Sequence, residues 1–478
     1  MIIQKLHSWL TTAREKPATS QLIFWFTLSL TFSLIYGFDH LRDVFANNYI
    51  VQDDARQHVV WMMRYVSPDF FPNDLVADYF QSVAPEGYKI VYKLGAFLGF
   101  NPLIFNKLLP PLIGLVTTIY AFGFFMQMLP IPAASFLGTL LLNQNLWMRD
   151  DIPSATPRAF LYPFFLAFLY YLAKRSLLGT SAAIILLGLF YPQTVLIASG
   201  ILVIRLVTWE SGKLQHTSQR RDYWLSGIGL ASAFLVLLPY VLMDSPFAPE
   251  ITVSQARALP EFWSGGRSSF FNDDPMLYWL GGRSGLLTNT IFTPIPLVFG
   301  LFLPLLLPFP SVFPLVQKLT ENAKILLQIL IVSLGLFFAA HATLFTLYLP
   351  SRYTQHTLTI ILAFSAAIAL TILIDAAFCW AEKSTQFQLI NIGKSIFVLG
   401  ITALVWISCL TYPLTLGSFP KGNYMQGDRI ALYQFFAQQP KDIFIGGIAG
   451  QTSYIPAFSY RSVLFSPETA IPYHWGYY

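Results

Sequence analysis

The chain has 478 residues, of which 55% are hydrophobic, 16% aromatic and only 11% charged, with a formal net charge of +5. Soluble globular chains carry roughly 25% charged residues, so this one cannot cover a water-facing surface, which excludes an ordinary soluble enzyme, a disordered chain and a small secreted domain. The basic residues are spread out rather than clustered, which speaks against nucleic acid as a partner, and Cys379 and Cys409 sit in apolar runs, which excludes a disulfide framework or a thiolate zinc site.

A membrane-crossing helix needs about 20 mostly apolar residues. In chain order the candidates are 22–38, 106–129, 132–148, 158–173, 176–190, 192–208, 224–243, 287–309, 324–349, 357–380 and 396–416. The expected fold is an all-α polytopic membrane protein with eleven transmembrane helices. The pair 176–190 and 192–208 also reads as one long helix broken at Tyr191-Pro192-Gln193. The run 22–38 follows a long polar leader and no small-x-small cleavage site comes after it, so it reads as a retained anchor.

Lys and Arg near span ends set the orientation. Lys5, Arg14 and Lys16 precede the first run. Lys174, Arg175, Lys213, Arg220, Arg221, Lys318, Lys324, Lys383 and Lys394 hold or adjoin the connections at 174–175, 209–223, 310–323 and 381–395. Placing these in the cytoplasm gives a plasma (inner) membrane protein with its N-terminus inside and its C-terminus outside. Eighteen of the 24 carboxylates then fall on the outer face.

Three outer segments are long: 39–105, 244–286 and 417–478. The membrane module spans 1–416. The segment 417–478 is expected to form a small α/β cap, with a helix from Asp428 to Gln438 and strands at 443–445 and 462–465. No internal repeat is visible, which counts against a repeat-built transporter.

Three acidic pairs, Asp53-Asp54, Asp150-Asp151 and Asp273-Asp274, fall on outer loops. A single carboxylate there suits a general base toward a hydroxyl, and a pair suits a divalent cation. Solvated or helix-capping acids are the plainer alternative. The stretch 53–66 reads as one interfacial helix with an acid N-cap, an apolar stripe at 55, 59, 62, 63 and 66, and Trp61 and Tyr65 at headgroup level. His58 lies one turn past Asp54 as a partner for it. The helix dipole would keep the pair ionised.

Arg352 lies in the short turn from Leu349 to His356. A guanidinium at that depth needs a partner or an anion, and its two-pronged fork matches phosphate. Snorkelling to headgroups is the alternative. Arg158, after the second acidic pair, makes a similar case. Gly265-Gly266-Arg267 and Gly281-Gly282-Arg283 read as mobile surface turns, or as basic turns that close over an anion. No Walker A, HExxH, GxSxG or GxGxxG pattern occurs, and Asp375 is the only carboxylate inside a span.

The first outer segment carries Asp53-Asp54-Ala55-Arg56, Phe70-Phe71-Pro72-Asn73-Asp74, Asp78-Tyr79-Phe80, Tyr88 to Leu94 and Phe100-Asn101-Pro102. It resembles the first luminal loop of GT-C glycosyltransferases, in the branch of the protein mannosyltransferases and the lipid A aminoarabinose transferase. The resemblance implies a polyprenyl-phosphate-linked sugar as donor and Asp53 as catalytic base, with Asp54 in support. It places Asp150 and Asp151 as a second acidic pair that holds a metal in some branches, and Arg352 at the donor phosphate, with Arg158 beside it. The chain departs from the pattern in having Asp54 where Glu is commoner, and Pro85-Glu86-Gly87-Tyr88-Lys89 where a Lys-Pro-Pro-Leu-like element stands. The expectation is an inverting transfer on the outer face to a hydroxyl of a glycan, lipid or protein acceptor. A flippase for a lipid-linked glycan and a non-catalytic assembly subunit are the alternatives.

Overall fold

The computed structural model describes residues 2–12, 18–210, 212–242, 245–383, 388–470 and 473–477. Arg14, Glu15, Lys16 and Asp244 lie outside these. Helices dominate, with little sheet. An amphipathic α1 (Ile2–Thr11) precedes α2 (Thr19–Val44). The first long loop holds β1 (Ile50–Gln52), α3 (Ala55–His58), α4 (Leu75–Val83) and α5 (Glu86–Phe97). Then come α6 (Pro102–Met128), α7 (Pro132–Met148), α8 (Pro157–Ala173), α9 (Leu177–Phe190) and α10 (Gln193–Ile204). The hairpin of β2 (Val207–Glu210) and β3 (Lys213–His216) leads to α11 (Arg220–Leu242). The short α12 (Val253–Ala258), α13 (Pro275–Leu280) and α14 (Leu303–Leu306) precede α15 (Lys324–Ala342), α16 (Gln355–Glu382) and α17 (Gln388–Thr411). The chain ends with β4 (Tyr424–Gln426), α18 (Ile430–Ala437), β5 (Phe444–Ile445), α19 (Ile455–Ser459) and β6 (Ser462–Val463).

Among the described residues, six helices are long and apolar enough to cross a membrane: Thr19–Val44, Pro102–Met128, Arg220–Leu242, Glu321–Ala342, Pro350–Glu382 and Gln388–Thr415. Phe97, Leu178, Val241 and Leu389 are each at least 79% exposed. Side chains this apolar on the outside of the bundle mark a surface that meets lipid.

The centre of the bundle is α7, buried at every position from Pro132 to Trp147. It packs against α2, α6 and α16. Gly138 lets α6 approach, since a Cβ there would meet the Phe125 ring at 2.6 Å. Proline at the first position starts α6, α7 and α8, where its missing N–H costs nothing. Asn101 completes the start of α6 by accepting from Leu103 N at 2.9 Å.

Two expected spans change. The run 287–309 is a 3-10 helix at Ile295–Phe302 followed by the four-residue α14, rather than one continuous α-helix. Pro294, Pro296 and Pro304 lack the N–H groups an α-helix needs. The run 324–349 ends as helix at Ala342, so the connection carrying Arg352 is longer than expected and contains its own 3-10 turn, Pro350–Tyr353. The break at Tyr191-Pro192 separates two antiparallel helices. Asp222 meets Arg175, just before α9, at 3.4 Å and Arg205, just after α10, at 3.6 Å, so those two ends lie together.

The C-terminal segment is woven into the loops. Its β4 pairs antiparallel with β1, Gln52 opposite Tyr424. Glu250 bridges to His474. Its expected helix and strands form as α18 and the parallel pair β5–β6.

Candidate functional site

Segments far apart in sequence converge at one end of the bundle around a cavity of about 360 Å³. Asp53, Asp54, Asp150, Asp151, Arg158 and Arg352 all line it. So do Arg149, Arg267, Arg283, Gln355, His356 and Lys421. The third acidic pair does not. Asp273 and Asp274 lie on the outside, and Asp274 caps α13 through Met276 N at 2.8 Å.

The expected single helix over 53–66 is split. The α-helix ends at His58, Val59 takes φ −120°, and a 3-10 helix runs from Val60 to Tyr65. The β-branched pair Val59-Val60 disfavours the α-helix. Trp61, Met62 and Met63 are buried in protein rather than placed at a headgroup layer, and Val66 alone of the stripe is exposed. Asp54 makes no cap bond; its carboxylate goes to Arg158 instead. Four residues of helix carry little dipole, so guanidinium groups take over the work expected of it.

Arg158, at the start of α8, gathers the acids. Its Nη2 donates to Asp54 Oδ2 at 2.9 Å and to Asp150 Oδ2 at 3.2 Å, and its Nε lies 3.6 Å from Asp151. Asp53 pairs with Arg56, and Arg267 stands 3.8 Å from both Asp53 and Asp54. Both acids keep about a quarter of their side chains exposed, at 25% and 26%. Behind them Glu468, from the C-terminal segment, accepts from Arg56 at 2.6 Å and Arg267 at 2.5 Å, and also from Gln57.

The four cavity acids differ in charge state. Burial opposes ionisation of Asp54, but Arg158, His58, Arg267 and Arg283 outweigh it and hold its carboxyl below the usual value. The same holds for Asp151, where Arg149, His356, Arg158 and the Tyr162 hydroxyl overcome burial. Asp150 goes the other way. Burial pushes it up to about 8, and the Asp54 charge adds to this, against the pull of Arg158, Asn423 and Gln52. His58 is lowered by burial, which exceeds the upward effect of Asp54.

The Asp150-Asp151 pair does not suit a divalent cation. Asp150 accepts from Gln52 at 3.1 and 3.0 Å and from Asn423 N at 3.0 Å. Asp151 accepts from Tyr162 at 2.7 Å and faces Arg149 at 3.5 Å. Apart from Arg158, which both face, the two carboxylates serve different neighbours, and guanidinium groups already supply their positive charge.

The cavity carries six cationic side chains against four acids. Among the described residues, Arg283, Arg352 and Lys421 form no bridge to a carboxylate. Tyr191, Tyr348 and Tyr473 stand around Arg352. Cations left over beside ionised acids fit a site that holds an anion next to a proton acceptor.

Sequence reasoning missed Glu468, Gln52, Arg149 and Lys421. Arg149 abuts the second acidic pair, and that adjacency was the available signal; the other three carry none. The turns at Arg267 and Arg283 are cavity walls, shaped by Gly265 at φ +90° and Gly282 at φ +66°. No protein-family model matches the chain, and no curated protein matches it in sequence.

Proposed function

We propose that the protein is an inverting GT-C-type glycosyltransferase of the plasma (inner) membrane. In this reading the chain crosses the membrane eleven times, with the short α9 and α10 and the broken segment at 287–309 among the crossings. The cavity faces outward, and the donor is a sugar on a polyprenyl phosphate whose tail lies in lipid. The observation that carries the reading is Arg352, a guanidinium with no carboxylate partner among the described residues, lining the same cavity as Asp53.

Asp53 takes the proton of the acceptor hydroxyl as that oxygen attacks the anomeric carbon. The new carbon–oxygen bond forms as the bond to the phosphate oxygen breaks, and the electron pair leaves with the polyprenyl phosphate. Attack opposite the leaving group inverts the anomeric centre. Arg352 stabilises the charge that develops on the phosphate, with Arg283 and Lys421 adding to the field. Asp54, held by Arg158, keeps the acid pair in place. The C-terminal segment, which supplies Lys421 and Asn423 to the wall, contributes to acceptor choice.

Mass spectrometry of lipid-linked sugars tests this in proteoliposomes and in cells lacking the protein. Transfer releases bare polyprenyl phosphate, and Asp53→Asn abolishes it while the folded protein accumulates normally. Unchanged release by Asp53→Asn removes Asp53 as the base. Relocation of the intact sugar-lipid, with no bare phosphate, means a flippase instead.

A further inference from the structure

A second cavity, of about 280 Å³, opens beside the first, between β1, the start of α6 and α19. We propose that it is a carbohydrate-binding pocket that seats a single sugar ring. The claim goes beyond the transfer reading and does not depend on it.

Its walls have the chemistry that sugars require. Tyr49 and Phe458 form an aromatic side, with ring centroids 5.5 Å apart. Asn48 brings a carboxamide, which pairs with hydroxyls as donor and acceptor together, while the carboxamides of Asn101 and Gln52 are held by Tyr460 and Leu103 N and by Asp150 and Ala55 N. Apolar ring faces with a few convergent polar groups are the usual make-up of a small-molecule site, and this volume lies just below the usual range for one, as suits a single ring.

Several groups are left with hydrogen bonds to give. Tyr460 accepts from Asn101 Nδ2 at 3.1 Å, and its own hydroxyl hydrogen has no acceptor among the described residues. Tyr460 holds φ +54°, a left-handed conformation that a tyrosine rarely adopts. Lys107 is 8% exposed and gives one hydrogen bond, to Val44 O at 3.0 Å. Its ammonium also stands over the Phe45 ring at 5.2 Å, its remaining N–H bonds meet no oxygen among the described residues, and a ring hydroxyl is an acceptor of the right kind.

The two cavities share a partition. Gln52 lines this pocket and donates its Nε2 to both oxygens of Asp150 in the other. A ring seated here lies one side chain away from the acid cluster.

Saturation-transfer NMR on the purified full chain in nanodiscs tests the pocket. The probes are glucose, galactose, mannose, N-acetylglucosamine, arabinose and glucuronate, with inorganic phosphate run separately. At least one sugar binds. Tyr49→Phe with Tyr460→Phe, which keeps both rings and the backbone, weakens that binding about tenfold, whereas Arg352→Met leaves it intact. Absence of binding by all six sugars overturns the proposal. So does sugar binding that the double variant does not weaken or that Arg352→Met abolishes. Binding of phosphate alone, lost in Lys107→Met, makes the pocket an anion site and overturns it too.

Discussion

Arg267 Nη2 lies 2.5 Å from Glu468 Oε1, which ties the long segment 244–286 to a residue 201 positions further on. Glu468 also accepts from Arg56, and both of those side chains are nearly buried, at 8% and 6% exposed. The acid therefore closes the cavity from behind and keeps Arg56 and Arg267 set against Asp53. Replacing Glu468 by Ala leaves Arg56 buried without that counter-charge. Breaking a buried pair in this way costs about 3–5 kcal/mol. The thermal midpoint of the purified protein is expected to fall accordingly, and a variant that melts with the wild type shows the bridge to be energetically idle.

Arg352 presents the opposite case. No carboxylate among the described residues depends on it, so Arg352→Met should unfold at the wild-type temperature. Transfer should fall by about 2–5 kcal/mol of transition-state stabilisation, or roughly 30- to 5,000-fold. The loss belongs in kcat as well as KM, because charge on the phosphate grows as the bond breaks. Lys at this position restores a point charge without the fork and should recover part of the rate. A full-rate Arg352→Met enzyme would remove the phosphate role.

The sequence shows the acids and four of the five arginines of this cavity because such residues are rare in an apolar chain. Asp53, Asp150, Arg158 and Arg352 stand out from their surroundings for that reason. Glu468 does not, because it sits in a polar stretch where any acid looks solvated; only the folding back of the C-terminal segment gives it a role. The helix period over 53–66 misleads for a related reason. Burial fixes which residues point inward, and a 3-10 helix after α3 buries Val60, Trp61 and Met62 as well as an α-helix does. The segment 287–309 is apolar enough to span, but its prolines decide its backbone.

Asp150 and Asp151 should respond to pH in opposite senses. Asp150 has its folded value raised to about 8 from 3.8, so the folded state holds its proton more tightly. Its contribution is full below the unfolded value and is lost as pH rises through about 8. Asp151 is depressed, so its contribution is present above the unfolded value and is lost as pH falls. Thermal midpoints measured from pH 4 to pH 9 should decline on the alkaline side in the wild type and decline less in Asp150→Asn. An unchanged alkaline slope in that variant means another group titrates there.

His7 makes a latch at the far end of the bundle. Its Nε2 lies 2.9 Å from Asp375 and its Nδ1 2.9 Å from Glu382, so α1 is held against α16 by one imidazole between two carboxylates. Its ring also stacks on Phe378 at 5.1 Å. Burial alone would lower the pKa, but the bonds to Asp375 and Glu382 raise it above the usual histidine value. The folded state thus favours the proton, and the latch contributes fully below pH 6.5 and is lost as pH rises through the elevated value. A spin label at the exposed position Gln4 reports docking of α1. The label should be immobile at pH 6 and freer at pH 9, and in His7→Ala equally free at both. Equal mobility at the two pH values in the wild type would show that packing of α1, rather than the imidazolium, holds this end closed.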